Sequence, residues 1–209
     1  MADRARTKTV HARDRIVSAS VELFVGRGFA ATSMRDIAAK AELTPGAIYN
    51  HFAGKEQILS GIVISDTTEL RDKVQAAASD MSTDAAGLIQ VIGVVAEHAV
   101  NHRDPMRIAS REGSLLSAAA SAELAELQRE VIDILAAVLA RCVAAGVGGG
   151  VIDNPRTHRA TARFVMHGLI QSGNTLDYDQ GWDIQQIIDY HVELIMNMLL
   201  GRRTEPTAN

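Results

Sequence analysis

A polar stretch near the start of the chain, TPGAIYNHFAGKEQIL over residues 44–59, carries residue types that contact nucleic acids. Tyr49 and His51 place polar atoms at the ends of flat rings, which suits contacts to phosphate oxygens. Lys55 adds a positive charge where the N–H groups of a following helix would also attract an anion. Gly46 keeps the leading turn narrow, so that a duplex could approach the backbone. The stretch therefore predicts a DNA-binding segment.

Two short helices must position these residues. Thr44 can cap the second helix with its hydroxyl, and Pro45 suits the first helical position, where its missing N–H is no loss. Ser33 stands three residues before Asp36, a spacing that predicts another helix start, capped in both directions. About three residues separate the two helices, as in a helix-turn-helix, whose second helix enters the major groove. Ser33 and Arg35 would then lie within reach of a phosphate or a guanine edge.

The charge of the chain is distributed unevenly. The net charge of −4 combines nine Lys/Arg against six Asp/Glu in residues 1–56 with twelve against nineteen in residues 57–209. The positive part is therefore the part that holds the polar stretch, and the rest is acidic. The 209 residues are 47% hydrophobic, which is enough for one helical body and a smaller appendage.

Cysteine usage and hydropathy indicate the compartment. Cys142 is the only cysteine, which excludes an intramolecular disulfide and fits a buried, unreactive thiol. No uninterrupted apolar run reaches the roughly 18 residues of a membrane span. We therefore expect a soluble, cytoplasmic protein with no membrane partner.

Apolar periodicity and capping signals predict an all-α fold of about nine helices. The only strand candidate is the short segment 151–153, and the glycine run at 146–150 predicts a connector, because it lacks the strand and Lys-Ser/Thr of a phosphate-binding loop. The predicted helices span residues 13–25, 34–41, a short turn after 44, 55–78, 84–102, 104–119, 121–145, 155–173 and 183–200.

Residues 32–59, TSMRDIAAKAELTPGAIYNHFAGKEQIL, resemble the DNA-binding segment of TetR-family transcriptional repressors, whose pattern is T-x-x-x-I-A-x-x-A-G-V-[ST]-x-G-x-[LI]-Y-x-[HY]-F-x-[SN]-K-E-x-L. Glu42 stands where the family usually has a turn glycine, and Gly54 where it has a Ser or Asn cap. Neither change removes a DNA-contacting group. By position, the resemblance implies DNA contacts at Ser33, Arg35, Thr44, Pro45, Gly46, Tyr49, His51 and Lys55.

The resemblance also implies two domains. Residues 1–56 would form a three-helix, helix-turn-helix DNA-binding domain with a basic N-terminal arm, and residues 57–209 a helical bundle for ligand binding and dimerisation. The implied protein is a homodimer that binds a palindromic operator in double-stranded DNA and is released by a small-molecule effector. In the family the last two helices form the dimer interface, which here would use Ile184, Ile187, Ile188, His191, Ile195 and Met198. The same apolar stripe could instead be internal core.

An effector pocket should be apolar with a few converging polar groups. His98 and His102 share a helix face at a spacing that can bind zinc, but the sequence offers no nearby acid or thiol to complete the ligands, so no metal and no cofactor are predicted. Arg107 and Arg111 could clamp an anion or line a solvated face. The candidate pocket residues are His98, His102, Arg107, Arg111, His167, Gln171, Asn174 and Tyr178.

Two other functions fit less well. An enzyme carrying a helix-turn-helix would need a nucleophile, a metal set or paired carboxylates, and none is evident after residue 57. A DNA-binding helical protein without an effector would not need about 150 acidic, aliphatic residues beyond its helix-turn-helix domain. We therefore predict a ligand-responsive regulator that is not an enzyme, most simply a repressor.

Overall fold

The computed structural model describes residues 2–147, 153–175 and 183–200, and these form nine α-helices with no strand among them. The prediction of an all-α fold is confirmed. The helices are α1 (Ala2–Arg27), α2 (Met34–Lys40), α3 (Pro45–Ile48), α4 (Lys55–Asp80), α5 (Ala85–Asn101), α6 (Arg103–Glu112), α7 (Ala118–Ala144), α8 (Pro155–Thr175) and α9 (Ile184–Leu200).

Side-chain caps define most of the helix starts, as the sequence predicts. Asp84 accepts a hydrogen bond from the backbone N–H of Gly87 at 2.9 Å and so caps α5. At α9, the Asp183 side chain accepts from the backbone N–H of Gln186, and the Gln186 side chain accepts from the backbone N–H of Asp183. This reciprocal pair is a capping box that fixes where the last helix begins.

The predicted helix over 104–119 is wrong in its second half. The helix α6 ends at Glu112, a short 3₁₀ turn covers Gly113–Leu115, and Leu116 is extended. The next helix starts at Ala118 rather than at residue 121, because the Ser117 hydroxyl accepts a hydrogen bond from the backbone N–H of Ala120. The helix α1 is also longer than predicted, beginning at residue 2. Of the strand candidate, residues 151 and 152 lie outside the described residues.

The chain divides into two compact units, with the division inside α4. The first unit holds residues up to 66 together with 104–124, and the second holds 67–103 together with the residues from 125 onward. The sequence suggests a functional domain boundary after residue 56. This boundary is a different division of the chain from the two compact units, and it stays a prediction.

The first unit is built around aromatic and branched side chains of α1 to α4. The centres of the Phe24 and Phe29 rings lie 5.1 Å apart, and Ile48 and Phe52 are buried. Burying a side chain of this size stabilises a fold by about 1.5–3 kcal/mol. The short helix α3 therefore depends on this core rather than on its own length.

The second unit has an aliphatic core in which α5 packs against α8 and α9. The Cys142 thiol is buried in that core, as predicted, and burial raises its pKa, which disfavours the reactive thiolate. Among the described helices, none combines the length and the hydrophobicity needed to cross a membrane.

Candidate DNA-binding site

The first turn of α3 presents backbone and small side chains to solvent. Thr44 is extended, and its hydroxyl accepts a hydrogen bond from the backbone N–H of Ala47 at 3.2 Å. Pro45 and Gly46 follow, and both are exposed. Because neither carries a long side chain, a duplex could approach the backbone of this turn closely.

Tyr49 and His51 continue this edge beyond the end of α3. Tyr49 is 58% exposed, whereas its neighbours Ile48 and Phe52 are at most 1% exposed. The buried pair anchors the backbone between them, so the phenol is presented from a fixed position. His51 is half-buried.

The start of α2 is held by a network around Asp36. Its carboxylate accepts hydrogen bonds from the Ser33 hydroxyl at 2.6 Å and the Ser33 backbone N–H at 2.9 Å. Arg27, at the end of α1, pairs with the same carboxylate at 2.7 Å. These bonds, those from Ser33 first, hold the pKa of Asp36 below its ordinary value. The Ser33 hydroxyl is thus already engaged, while Arg35 on the same helix is exposed.

The turn between α2 and α3 contains a residue in the left-handed region. Glu42 has φ of 56°, at the position where the sequence pattern usually has glycine. The turn is closed by hydrogen bonds from the backbone N–H of Leu43 to Ala38 and from that of Glu42 to Ala39. The helix-turn-helix geometry is therefore kept at the cost of a strained residue.

Lys55, at the first position of α4, turns its amine toward the loop that follows α1. Its Nζ donates to the carbonyl oxygens of Phe29 at 2.9 Å and Thr32 at 3.1 Å, and it lies 4.4 Å from the centre of the Phe29 ring. The amine therefore connects the start of α4 to the segment that precedes α2. The sequence suggests a phosphate contact for this residue and could not reveal this bond, because its partners lie 23 to 26 residues away.

All eight predicted DNA-contacting residues lie in the first unit. Six are exposed and two are half-buried. The exposed ones are Ser33, Arg35, Thr44, Pro45, Gly46 and Tyr49, and the half-buried ones are His51 and Lys55. The sequence analysis missed Arg27, which orients α2 through Asp36.

The predicted pocket residues whose side chains the structure describes are distributed over both units. His98 and His102 meet with ring centres 4.0 Å apart, but Arg107 and Arg111 belong to the first unit. His167 and Gln171 are exposed on α8. The side chains of Asn174 and Tyr178 lie outside what the structure describes, so these two remain sequence predictions.

The apolar stripe of α9 separates into two sets. Ile187, Ile188, His191 and Ile195 are buried in the core of the second unit, which is the alternative reading of that stripe. Other apolar side chains on α8 and α9 are exposed instead, and we refer to this set as the α8–α9 face. It consists of Phe164, Ile184, Tyr190, Leu194 and Met198, each 42–60% exposed. Only Ile184 and Met198 of the predicted interface belong to it.

Comparison with known proteins adds a family relationship. Residues 16–62 match the family described as bacterial regulatory proteins, tetR family. The HTH-type transcriptional regulator UidR of Escherichia coli (strain K12) is 35% identical over 66 residues, which are 32% of this chain and 34% of UidR. The match thus spans about a third of the length of this curated relative.

Solved structures share the fold along most of the chain. A tetR-family regulatory protein from Rhodococcus RHA1 is similar with a TM-score of 0.79 at 24% identity, covering 90% of this chain and 96% of that one. AibR, solved with isovaleryl coenzyme A and operator DNA, gives 0.72 at 18% identity, covering 88% and 98%. At these identities the likeness shows the fold alone.

Proposed function

Because the chain belongs to the TetR family of bacterial regulatory proteins, we propose that it is a transcriptional repressor that binds a palindromic operator as a homodimer and is released by a small-molecule effector. One observation carries the proposal. The start of α3 presents an exposed edge of small residues, Tyr49 continues that edge beyond the end of the helix, and the neighbouring Ile48 and Phe52 are buried.

The DNA contacts divide by chemistry. Tyr49, His51 and the backbone at the start of α3 would contact phosphates and set the register, which carries no sequence information. Arg35, exposed in the first turn of α2, has the planar donors that suit a guanine edge or a phosphate. The excess of Lys/Arg over Asp/Glu in residues 1–56 supports this assignment, since the phosphate backbone dominates affinity.

The α8–α9 face supports a second copy of the chain as partner. Its five exposed apolar side chains lie on two helices of a unit that is otherwise acidic, and such patches mark protein interfaces. A twofold dimer would use the same face on both copies. It would also set the distance between two α3 helices, which operator half-sites fix at about 34–36 Å.

An effector would bind in the second unit. The groove between α5 and α9 has a volume of about 650 Å³, which suits a small molecule. Among the described residues its lining includes the carboxylates of Glu97, Asp189 and Glu193 and no Lys, Arg or His, so a neutral or cationic compound would fit better than an anion. AibR, which shares this fold, was solved in complex with isovaleryl coenzyme A and operator DNA, which supports a small-molecule site in this chain as well.

Release from DNA would be a shift between two dimer states. An effector lowers DNA affinity only by binding more tightly to the state whose recognition helices no longer fit two successive major grooves. A coupling of 1–3 kcal/mol, typical of such systems, would weaken operator binding by about 5- to 150-fold.

The test is fluorescence anisotropy of the full chain with labelled DNA from the region flanking its own gene, at two salt concentrations. We expect saturable, salt-sensitive binding, because Lys and Arg contacts release counterions. Tyr49→Ala and Arg35→Gln should each weaken it at least tenfold. Arg129→Gln, which removes an exposed charge from α7 in the second unit, is the matched control and should leave it unchanged.

A selection from a random DNA library, after unfolding and refolding to remove any bound compound, covers the case of a distant operator. Selection of a palindromic site sensitive to Tyr49→Ala supports the proposal. A folded, dimeric chain that selects no sequence would refute it.

A further inference from the structure

An exposed asparagine follows Tyr49 just beyond the end of α3. This residue, Asn50, is not among the positions at which the family resemblance implies a DNA contact. Within the described part of the chain, its side-chain amide takes part in no hydrogen bond. The Ser33 hydroxyl, by contrast, is already bonded to Asp36. The amide of Asn50 is therefore available to a group outside the chain.

The helical winding of α3 continues through this asparagine. Tyr49 has helical backbone angles, with φ of −69° and ψ of −14°. The backbone N–H of Asn50 donates to the carbonyl oxygen of Ala47 at 3.2 Å, and that of Phe52 donates to the carbonyl oxygen of Ile48 at 3.1 Å. Directions around the segment can therefore be counted as in a helix, in which each residue turns by roughly 100°.

Burial fixes which side of this segment is turned outward. Ile48 and Phe52 are buried in the core of the first unit, and their four-residue spacing puts them on one side. Asn50 stands two residues from each of them, about 200° around the helix, so it lies on the opposite side. Gly46, four positions before Asn50, lies on that side as well and has no side chain. Tyr49 is only about 100° from Ile48 and therefore lies on a flank.

The outward side of a helix in the major groove faces the base edges, whereas its flanks are nearer the phosphates. The leading positions of α3 are Pro45, Gly46 and Ala47, and none of these side chains can form a hydrogen bond. They leave room for close approach but cannot distinguish bases by hydrogen bonding. Asn50 supplies the donor and the acceptor that these three positions lack.

We propose that Asn50 reads one adenine in each operator half-site. In the major groove, adenine offers its N7 atom as an acceptor and its N6 amino group as a donor. The amide nitrogen of asparagine donates to N7, and its oxygen accepts from N6, so both bonds form at once. Guanine presents two acceptors, N7 and O6, and would leave the amide oxygen without a donor. This inference rests on the proposed function and adds a sequence preference to it.

The test starts from the site that the full chain selects from the random library. Each base pair of one half-site is replaced in turn, and anisotropy measures the affinity of the unchanged chain and of Asn50→Ala. We expect one A·T pair whose replacement by G·C weakens binding of the unchanged chain about 5- to 150-fold. Asn50→Ala should bind the two sequences within about twofold of each other and keep its discrimination at the other positions.

A single-atom change in the DNA isolates the proposed bond. 7-Deaza-2′-deoxyadenosine at that A·T pair lacks the N7 acceptor but still pairs with thymine. It should weaken binding of the unchanged chain roughly fivefold or more, because the amide donor loses its partner, and should leave binding of Asn50→Ala unchanged. Asn101→Ala is the matched control, since it makes the same change at an exposed asparagine of α5 in the second unit. It should respond to both DNA changes like the unchanged chain.

The outcomes separate this inference from the proposed function. If the chain selects a palindrome and Asn50→Ala keeps its discrimination at every position, the inference is wrong and the proposed function stands. An equal loss of affinity for every sequence would assign Asn50 to a phosphate and would also overturn the inference. A folded, dimeric chain that selects no sequence refutes both.

Discussion

The Nζ atom of Lys55 lies 2.9 Å from the carbonyl oxygen of Phe29 and 4.4 Å from the centre of the Phe29 ring. The amine also donates to the carbonyl oxygen of Thr32, the residue before the cap of α2. One charge thus satisfies carbonyl groups of the loop between α1 and α2 and fixes that loop to the start of α4. The geometry favours a positioning role for Lys55 over a contact to DNA.

Lys55→Gln should lower the free energy of unfolding by about 1–3 kcal/mol, the usual range for charge-assisted hydrogen bonds. DNA affinity should fall because α2 is less well held, but the slope of log affinity against log salt should stay unchanged. A lost phosphate contact would instead reduce that slope by about 0.9. Urea unfolding and anisotropy over a salt series distinguish the two roles.

Lys40→Gln provides the comparison for Lys55. Lys40 pairs with Glu22 at 2.6 Å on the surface, between α2 and α1. Exposed pairs of this kind contribute at most about 1 kcal/mol, so stability should change little. Equal loss in both variants would contradict the special position of Lys55.

Glu42→Gly should stabilise the chain by about 1 kcal/mol. Glu42 has φ of 56°, and the left-handed region costs a residue with a side chain about 1–2 kcal/mol. Part of the gain is offset by the greater freedom of glycine in the unfolded chain. Its exposed pair with Arg15, at 3.8 Å, contributes little. In urea unfolding, the free energy of unfolding of Glu42→Asn should lie between those of the unchanged chain and Glu42→Gly, since asparagine tolerates this region. A loss of stability in both variants would show that the strain is absent.

Local signals predicted much of this fold, because caps and apolar spacing act within a few residues. Ser33 and Thr44 cap the helices they were expected to cap. Contacts between distant residues were not predictable, as Lys55 with Phe29 and Glu69 with His102 show. The α9 stripe was ambiguous for a different reason, because a core and an interface require the same apolar spacing. Only the packing shows that Ile187 lies in the core and that Leu194 is exposed to solvent.

Two glycines of α5 should respond in opposite ways to alanine. A methyl group on Gly87 would overlap the backbone carbonyl of Ser82, whereas one on Gly93 would meet nothing within 4 Å. We expect Gly87→Ala to cost at least about 2 kcal/mol through overpacking. Gly93→Ala should stabilise by about 0.5–1 kcal/mol, the ordinary helix preference of alanine. Urea unfolding checks both, and similar values for the pair would argue against the tight turn at Ser82.

Asp36→Asn should destabilise the chain in a pH-dependent way. Bonds from Ser33 and the charge of Arg27 hold the folded-state pKa of Asp36 below the ordinary 3.8. A carboxylate with a lowered pKa contributes stability above the unfolded-state pKa and loses it as the pH falls through the folded-state pKa. The difference between the unchanged chain and Asp36→Asn should therefore be constant near neutral pH and shrink below about pH 4. A constant difference down to pH 2 in urea titrations would assign the effect to shape rather than charge.

Leu194→Glu should separate the proposed dimer. Leu194 is 51% exposed on α9, within the α8–α9 face that also includes Phe164 and Tyr190. A charge buried at a twofold interface would be repeated on both copies, so repulsion and desolvation act together. We expect a folded monomer by light scattering and a loss of operator binding, since one copy can contact only one half-site. Ile89→Glu, a similarly exposed position on α5, should remain dimeric. A Leu194→Glu chain that stays dimeric with full affinity would place the interface elsewhere and leave the α8–α9 face without a partner.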